Sequence, residues 1–277
     1  MGGKGTDASW ILGELGYASL ALGFAAGDTG RRMERMLQAR GCGTDFTWVE
    51  GETRINTVII SEAGEGQSTL VCEGPPINKD DMRSFEKKYR AALKKADCIL
   101  IGGSLPPGIK PTYYTGLVKQ ARATGRPVIF DANGPGLKPG MEGRPTIAKP
   151  NVDEIAQLSG HPVKSIKEAY RTGRELQDKY GTSMIITLGG SGALAVLPGR
   201  AYRIPVLKIP VVSTAGAGDA VLAGISAALS KGKPIEDGLR LGFAAAAAVC
   251  LTPATADCRR EDVERLQSEV RLIPFRG

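Results

Sequence analysis

Towards its carboxyl end the chain reads Ser213-Thr214-Ala215-Gly216-Ala217-Gly218-Asp219-Ala220, then Val221-Leu222-Ala223-Gly224-Ile225-Ser226-Ala227-Ala228-Leu229. The second stretch is a good helix sequence, so two glycines stand where a helix begins. A helix start exposes unpaired N–H groups and the positive end of its dipole, and small residues let an anion come close to them. The amides of Gly216, Ala217 and Gly218 could therefore hold the charge that develops on a transferring phosphoryl group. Asp219, in the first turn, could orient a hydroxyl and accept its proton. Taken alone, the run fits equally an acidic residue favoured only by the dipole.

A second glycine-led segment opens the chain, Met1-Gly2-Gly3-Lys4-Gly5-Thr6-Asp7-Ala8, with apolar residues at helical spacing behind it (Ala8, Ile11, Leu12, Leu15). Lys4 among glycines suits an anion, and Asp7 could accept hydrogen bonds from sugar hydroxyls. A plain helix cap fits the same residues. Other phosphate-binding schemes are missing. There is no G-x-x-x-x-G-K-[ST] loop, no complete G-x-G-x-x-G after a strand, and the single histidine, His161, belongs to no H-R-D loop.

These segments need a scaffold, and the pattern around them supplies one. Ser19 to Phe24, Asp97 to Ile101, Pro127 to Phe130 (followed by Asp131) and Ser183 to Leu188 are short apolar runs closed by Gly or Asp, as parallel strands usually are. Between them Asp80 to Ala96, Pro111 to Thr124, Ser165 to Tyr180 and Glu236 to Leu251 read as helices. Strands alternating with helices predict an α/β fold with a parallel sheet covered on both faces. One region departs from this rhythm. Phe46 to Val49, Ile55 to Ser61 and Ser68 to Cys72 are β-rich, and Gly64-Glu65-Gly66-Gln67 reads as a hairpin turn. The expected organisation is a core of residues 1–43 and 74–277 carrying a β-rich lid over 44–73.

Composition narrows the function classes. Apolar residues are 42% and charged residues 23% of the 277, the balance of an ordinary soluble protein. The apolar run Phe243 to Leu251 is too short to span a bilayer, and no signal peptide is visible. No membrane partner is expected. Cys42, Cys72, Cys98, Cys250 and Cys258 form no C-x-x-C pair, which suits reduced thiols in a cytoplasm. The net charge of +7 is spread along the chain and aromatics are only 5%, so a nucleic-acid partner is not expected and an anionic small substrate is compatible.

Four segments together resemble the PfkB-type (ribokinase-like) sugar kinases, in the family's order. Gly2-Gly3-Lys4-Gly5 is similar to its first signature, and Gly103-Ser104-Leu105-Pro106-Pro107-Gly108 to its central Gly-Ser-Leu-Pro-Pro-Gly. Lys149-Pro150-Asn151-Val152-Asp153-Glu154 is similar to Lys-Pro-Asn-x-x-Glu, and Gly216-Ala217-Gly218-Asp219 to the second signature. The resemblance implies a three-layer α/β/α body with a mostly parallel sheet and a small β lid. It implies ATP and Mg²⁺, with Asp219 as the catalytic base and Gly216, Ala217 and Gly218 as the anion hole. Asn151, Thr187, Gly189, Gly192, Ala244 and Ala248 would line the ATP site. Asn151 and Glu154 would hold Mg²⁺ mainly through water. Gly3, Lys4, Asp7, Arg54, Asn56 and Ser104 would contact the acceptor, Arg54 being suited to a bidentate grip on phosphate.

Thr53-Arg54-Ile55-Asn56 with the central motif implies a phosphosugar acceptor rather than ribose or adenosine. The Lys4-containing signature, Val211 to Thr214 and Val270 to Phe275 look most like the branch that phosphorylates fructose 1-phosphate to the 1,6-bisphosphate. The 6-phosphofructokinase and tagatose-6-phosphate kinase branches remain open, as does a relative that only binds nucleotide or sugar phosphate. A homodimer through the lid is a further implication. Two departures stand out. Asp7 occupies a position where the family has Asn, and a carboxylate donates no hydrogen bond unless protonated. The family's leading segment, with a first strand, part of the lid and an Asn-Pro-x-x-Asp run, has no counterpart before Met1, so the lid is expected to be incomplete and a sheet edge exposed.

Overall fold

A computed structural model describes residues 1–60 and 67–277. The chain begins with α1 (Lys4–Glu14), β1 (Leu20–Ala21), β2 (Phe24–Ala25), α2 (Gly27–Ala39), β3 (Gly43–Thr44) and β4 (Thr47–Trp48). A hairpin of β5 (Thr57–Ile60) and β6 (Gln67–Leu70) follows. Then come α3 (Lys79–Leu93), β7 (Ile99–Gly102), α4 (Tyr113–Arg122), β8 (Val128–Asp131), α5 (Leu137–Glu142), β9 (Ile147–Ala148), α6 (Val152–Ser159), α7 (Ile166–Tyr180) and β10 (Ser183–Thr187). The last elements are β11 (Ala193–Leu197), β12 (Arg200–Ile204), α8 (Ala217–Ser230), α9 (Ile235–Cys250), α10 (Arg260–Gln267) and β13 (Ile273–Pro274).

The central sheet runs β13-β12-β11-β10-β9-β8-β7. Strands β7 to β10 are parallel, and β11 to β13 continue the sheet in antiparallel pairs. Alternate side chains of each strand feed opposite faces, as the pleat requires. Ile129, Ile147 and Ile185 join one core with α1, α8, α9 and α10. Phe130, Ala148, Met184 and Ile186 join the other with α3 to α7. Each such large apolar side chain contributes roughly 1.5–3 kcal/mol on burial. The result is three layers, with the expected helices and strands present within a few residues of their predicted ends.

Helix α8 is buried from Ala220 to Ala228, as a helix apolar on all sides must be. It lies so close to α9 that a Cβ on Gly224 would come within 2.2 Å of the Gly242 nitrogen, and one on Gly242 within 2.6 Å of the Val221 carbonyl oxygen.

Two expectations are corrected. Ser19 to Phe24 is not one buried strand of the main sheet. The chain breaks at Gly23 into β1 and β2, which pair in parallel with β3 and β4, and Leu20 is 47% exposed. Phe46, expected in the lid, is buried with Ala21, Ala25, Leu37 and Cys42, because β4 is hydrogen-bonded to β2 on the body. The β5–β6 hairpin is a third two-stranded sheet, beside the β1–β3 and β2–β4 pairs. Gly64, Glu65 and Gly66 of the expected turn lie outside the described residues.

Candidate active site

The carboxyl ends of β7, β8, β9 and β10 point one way, and the amino-terminal ends of α1 and α8 meet them there. Ligand sites in open α/β sheets form at such strand ends. The sequence puts chemistry at each. Asp131 closes β8, whose four residues are all buried. Lys149 follows β9, Asn151 bridges to Thr187 at the end of β10, and Ser104 lies just beyond β7.

Asp131 is the hub of the cluster. Its side chain is almost wholly buried and its two oxygens each meet an ammonium at 3.0 Å, Oδ1 from Lys4 and Oδ2 from Lys149. Although burial opposes its charge, Lys4 is held above its ordinary value by Asp131, Asp219 and Glu154. Neither Asp131 nor Lys149 is a site residue on sequence grounds. The available signal was position: each stands at the end of a parallel strand, the one place where a charge next to an apolar run can face a ligand.

Asp219 stands in the first turn of α8 behind Gly216, which adopts φ 85°. A side chain at Gly216 would be strained there and would collide with the Ala256 backbone at 2.4 Å. Gly218 serves closeness instead, since a Cβ on it would sit 3.2 Å from Lys149 Nζ. The helix start and a lysine therefore converge on one spot. The expected three-amide hole is narrower than predicted, because the Ala217 N–H turns back to the Thr214 carbonyl at 3.2 Å.

Burial pushes the Asp219 carboxyl up to about 6, with Asp131 raising it further while Lys4 and Lys149 pull it down. Asp7, reaching over from α1, is 3% exposed and lies beside Asp219, and its Oδ1 has no hydrogen-bond partner. Burial and the Asp219 charge push it up to about 8. Gly3 caps α1, and its carbonyl accepts from the Asp7 N–H at 2.7 Å.

Asn151 and Glu154 form a reciprocal cap on α6. Asn151 Oδ1 accepts from the Glu154 N–H and Glu154 Oε2 from the Asn151 N–H, both at 2.8 Å. Burial raises the Glu154 carboxyl. Among the described residues no group of three or more His, Cys, Asp or Glu could enclose a metal. Such a donor set fits Mg²⁺ brought in on nucleotide phosphates and reached through water, as Mg²⁺ prefers.

On the nucleotide side, Gly189 and Gly192 close a tight turn after β10, with the Gly192 N–H on the Gly189 carbonyl at 3.0 Å. Ala244 and Ala248 depart from expectation. Both are buried within the α9 core, 0% and 1% exposed, where their small size serves helix packing and leaves no open surface for a ligand.

On the acceptor side, the hairpin reaches the body through Arg54. Its Nη2 donates to Ser104 Oγ and its Nη1 to the Cys72 carbonyl. Asn56 Oδ1 accepts from the Cys72 N–H at 3.0 Å, so that side chain ties the hairpin base together. Ser104 is in turn fixed by Gly103, whose N–H donates to the Asp131 carbonyl at 3.1 Å. Two shallow surface hollows of about 450 and 560 Å³ share no residue with this cluster.

The pattern that defines the pfkB family carbohydrate kinases matches residues 1–262. The chain belongs to this family. It is 30% identical to the 1-phosphofructokinase of Bacillus subtilis (strain 168) over 271 residues, which cover 98% of this chain and 88% of that protein. The crystal structure of phosphofructokinase-2 from Escherichia coli in complex with potassium superposes with a TM-score of 0.87 at 26% identity, covering 97% of this chain and 87% of the other. Arabidopsis thaliana ribokinase, complexed with ribose and ATP, shares the fold at a TM-score of 0.74 and 21% identity, covering 96% and 87%. The layered body is thus the ribokinase-like fold, and membership of the pfkB family makes the chain an ATP-dependent sugar kinase. No helix among the described residues is long and apolar enough to cross a membrane.

Proposed function

We propose that this kinase transfers the γ-phosphoryl group of ATP to a hydroxyl of a ketohexose phosphate, with fructose 1-phosphate as the first candidate. The observation that carries the reading is the meeting of a buried Asp219 with Lys149 at a glycine-led helix start, beneath a lid whose Arg54 reaches Ser104. Asp219 accepts the proton of the acceptor hydroxyl as the oxygen attacks phosphorus. The amides of Gly216 and Gly218, with Lys149, take up charge on the phosphoryl oxygens. Lys4 and Lys149 keep Asp219 anionic enough to act near neutral pH, and Asp131 holds both lysines in place.

Arg54 and Ser104 form the acceptor's phosphate grip, and Gly3 and Asp7 border its hydroxyls. Asn151, Thr187, Gly189 and Gly192 flank ATP. Bound Mg²⁺ would neutralise phosphate charge, with Glu154 and Asn151 holding its water shell. The similarity to a 1-phosphofructokinase supports fructose 1-phosphate. The likeness to a phosphofructokinase-2 keeps fructose 6-phosphate as the second acceptor to test. The lid joins two copies into a homodimer in this proposal, since Ile59 and Leu70 on the hairpin are 53% and 59% exposed.

The test is ATP-dependent turnover of an acceptor panel. Fructose 1-phosphate should give the highest kcat/KM, and Asp219→Ala should lose about 10²–10⁴-fold in kcat. Preference for ribose or adenosine over every sugar phosphate would end the acceptor assignment.

A further inference from the structure

Asp7 is the residue that family resemblance leaves unexplained, because it puts an acid beside the catalytic base. We propose, resting on the kinase reading above, that Asp7 and Asp219 hold a single proton between them, with Asp7 as the positioning residue that donates it to the Asp219 carboxylate. Geometry carries this. Asp7 is 3% exposed, its Oδ1 is buried without a hydrogen-bond partner, and it lies beside Asp219 where α1 packs on α8. Two buried carboxylates in contact cannot both be charged cheaply, and sharing a proton relieves the repulsion.

The surrounding charges decide which acid keeps the proton. Lys4, on the same helix, turns its ammonium to Asp131, as does Lys149. Both lysines pull Asp219 towards the anion. Facing Asp7 are Asp219 from α8, which raises it, and the amino group of Met1, which lowers it. Strands β1 and β7, packed against α1, bring no charged residue. Arg40, at the end of α2, stacks 3.5 Å from the Trp10 ring centroid and pairs with Glu14 and Asp257. The cations therefore serve Asp219 and Asp131, and the proton stays with Asp7.

A protonated Asp7 supplies through its O–H the donor that an amide would supply through its N–H at this position. It leaves another Asp219 lone pair for the acceptor hydroxyl. Loss of that proton adds a second negative charge beside Asp219, where a phosphorylated acceptor must approach. Binding of the acceptor then weakens with rising pH.

Infrared titration of the ligand-free protein reads the proton without turnover. The wild type should show a protonated-carboxyl carbonyl band that titrates away at about pH 8 and is missing in Asp7→Asn. In Asp219→Asn, removal of the neighbouring charge should lower the midpoint by about one pH unit or more. No such band near neutral pH, its survival in Asp7→Asn, or an unmoved midpoint in Asp219→Asn would each overturn the proposal, whatever the enzyme phosphorylates. With turnover, the wild-type KM for the sugar phosphate should rise about fivefold or more from about pH 7 to about pH 9, while Asp7→Asn stays flatter. Identical KM profiles would also overturn it. A protein that shows the band but phosphorylates no sugar would sink the kinase reading and leave the carboxyl pair standing.

Discussion

The charged cluster at the strand ends and the β5–β6 hairpin are built on opposite terms. In the cluster the charges are drawn in from water and packed against one another: buried Asp131 takes two lysines, and Asp7 lies against Asp219. On the hairpin Ile59 and Leu70 are more than half exposed, and Arg54 is its arm to the body. The cluster makes its ion pairs within the fold, so its residues trade stability against chemistry. In the function proposed above the hairpin gains its contacts from a ligand or a second copy, so its residues should affect binding and leave folding alone. Preorganisation of the first kind lowers the cost of reaching the transition state, and closure of the second kind excludes water.

The comparison can be broken at Asp131 first. Asp131→Ala leaves two buried ammonium groups without their shared partner, which should cost about 3–5 kcal/mol. Urea unfolding should show most of the stability gone, and a loss below about 1 kcal/mol would mean the cluster is not coupled to the fold. Asp219→Ala should remove about 10²–10⁴ of kcat with folding intact, separating chemistry from stability inside one cluster. Arg54→Ala should raise the sugar-phosphate KM by an amount worth about 1.5–3 kcal/mol, the range for a hydrogen bond to a charged group. Its unfolding midpoint should not move.

A smaller effect sharpens the contrast. Asp7 binds its proton more tightly folded than unfolded, since burial and Asp219 raise it to about 8. The folded protein thus keeps a proton that the unfolded chain releases from about pH 4 upward, and stability falls with pH up to about 8. Asp7→Asn should remove that cost. Its gain in Tm over the wild type should widen from acid to mildly alkaline pH, reaching a few °C at roughly 2–4 °C per kcal/mol. Equal pH dependence of the two proteins by calorimetry would show that Asp7 is not protonated in the fold. Smallest in stability is Leu70→Lys on the hairpin. It should change unfolding by less than about 0.5 kcal/mol yet shift the sedimentation coefficient towards a monomer.

Much of this was legible in the sequence because it depends on local pattern. Gly216 to Asp219 before an apolar helix, and apolar runs ending in Gly or Asp, are short-range signals of a helix start and of parallel strands. The pairing of Lys4 with Asp131 is not local, and nothing in either neighbourhood announces the other. Lys149 reads only as part of a motif, because its neighbour Gly218 lies far along the chain. Ala244 and Ala248 misled for the opposite reason. Small residues mark close approach, but the sequence does not say whether a ligand or a helix approaches. Ser19 to Phe24 misled because apolar content alone does not reveal that the run splits at Gly23 into two short strands paired with β3 and β4 outside the central sheet.

The contact between Gly224 and Gly242 bears on how such an enzyme can be tuned. Val221, whose carbonyl a Cβ on Gly242 would meet, lies only two residues beyond Asp219. With Asp219 as the proposed base, the spacing of the two helix axes is also a ruler for the distance from base to acceptor. A single methyl at position 242 would push on that ruler from the far side, and errors of about 1 Å in such a placement can cost about a hundredfold in rate. Gly242→Ala should therefore alter turnover from outside the proposed site, where a search confined to the pocket would miss it.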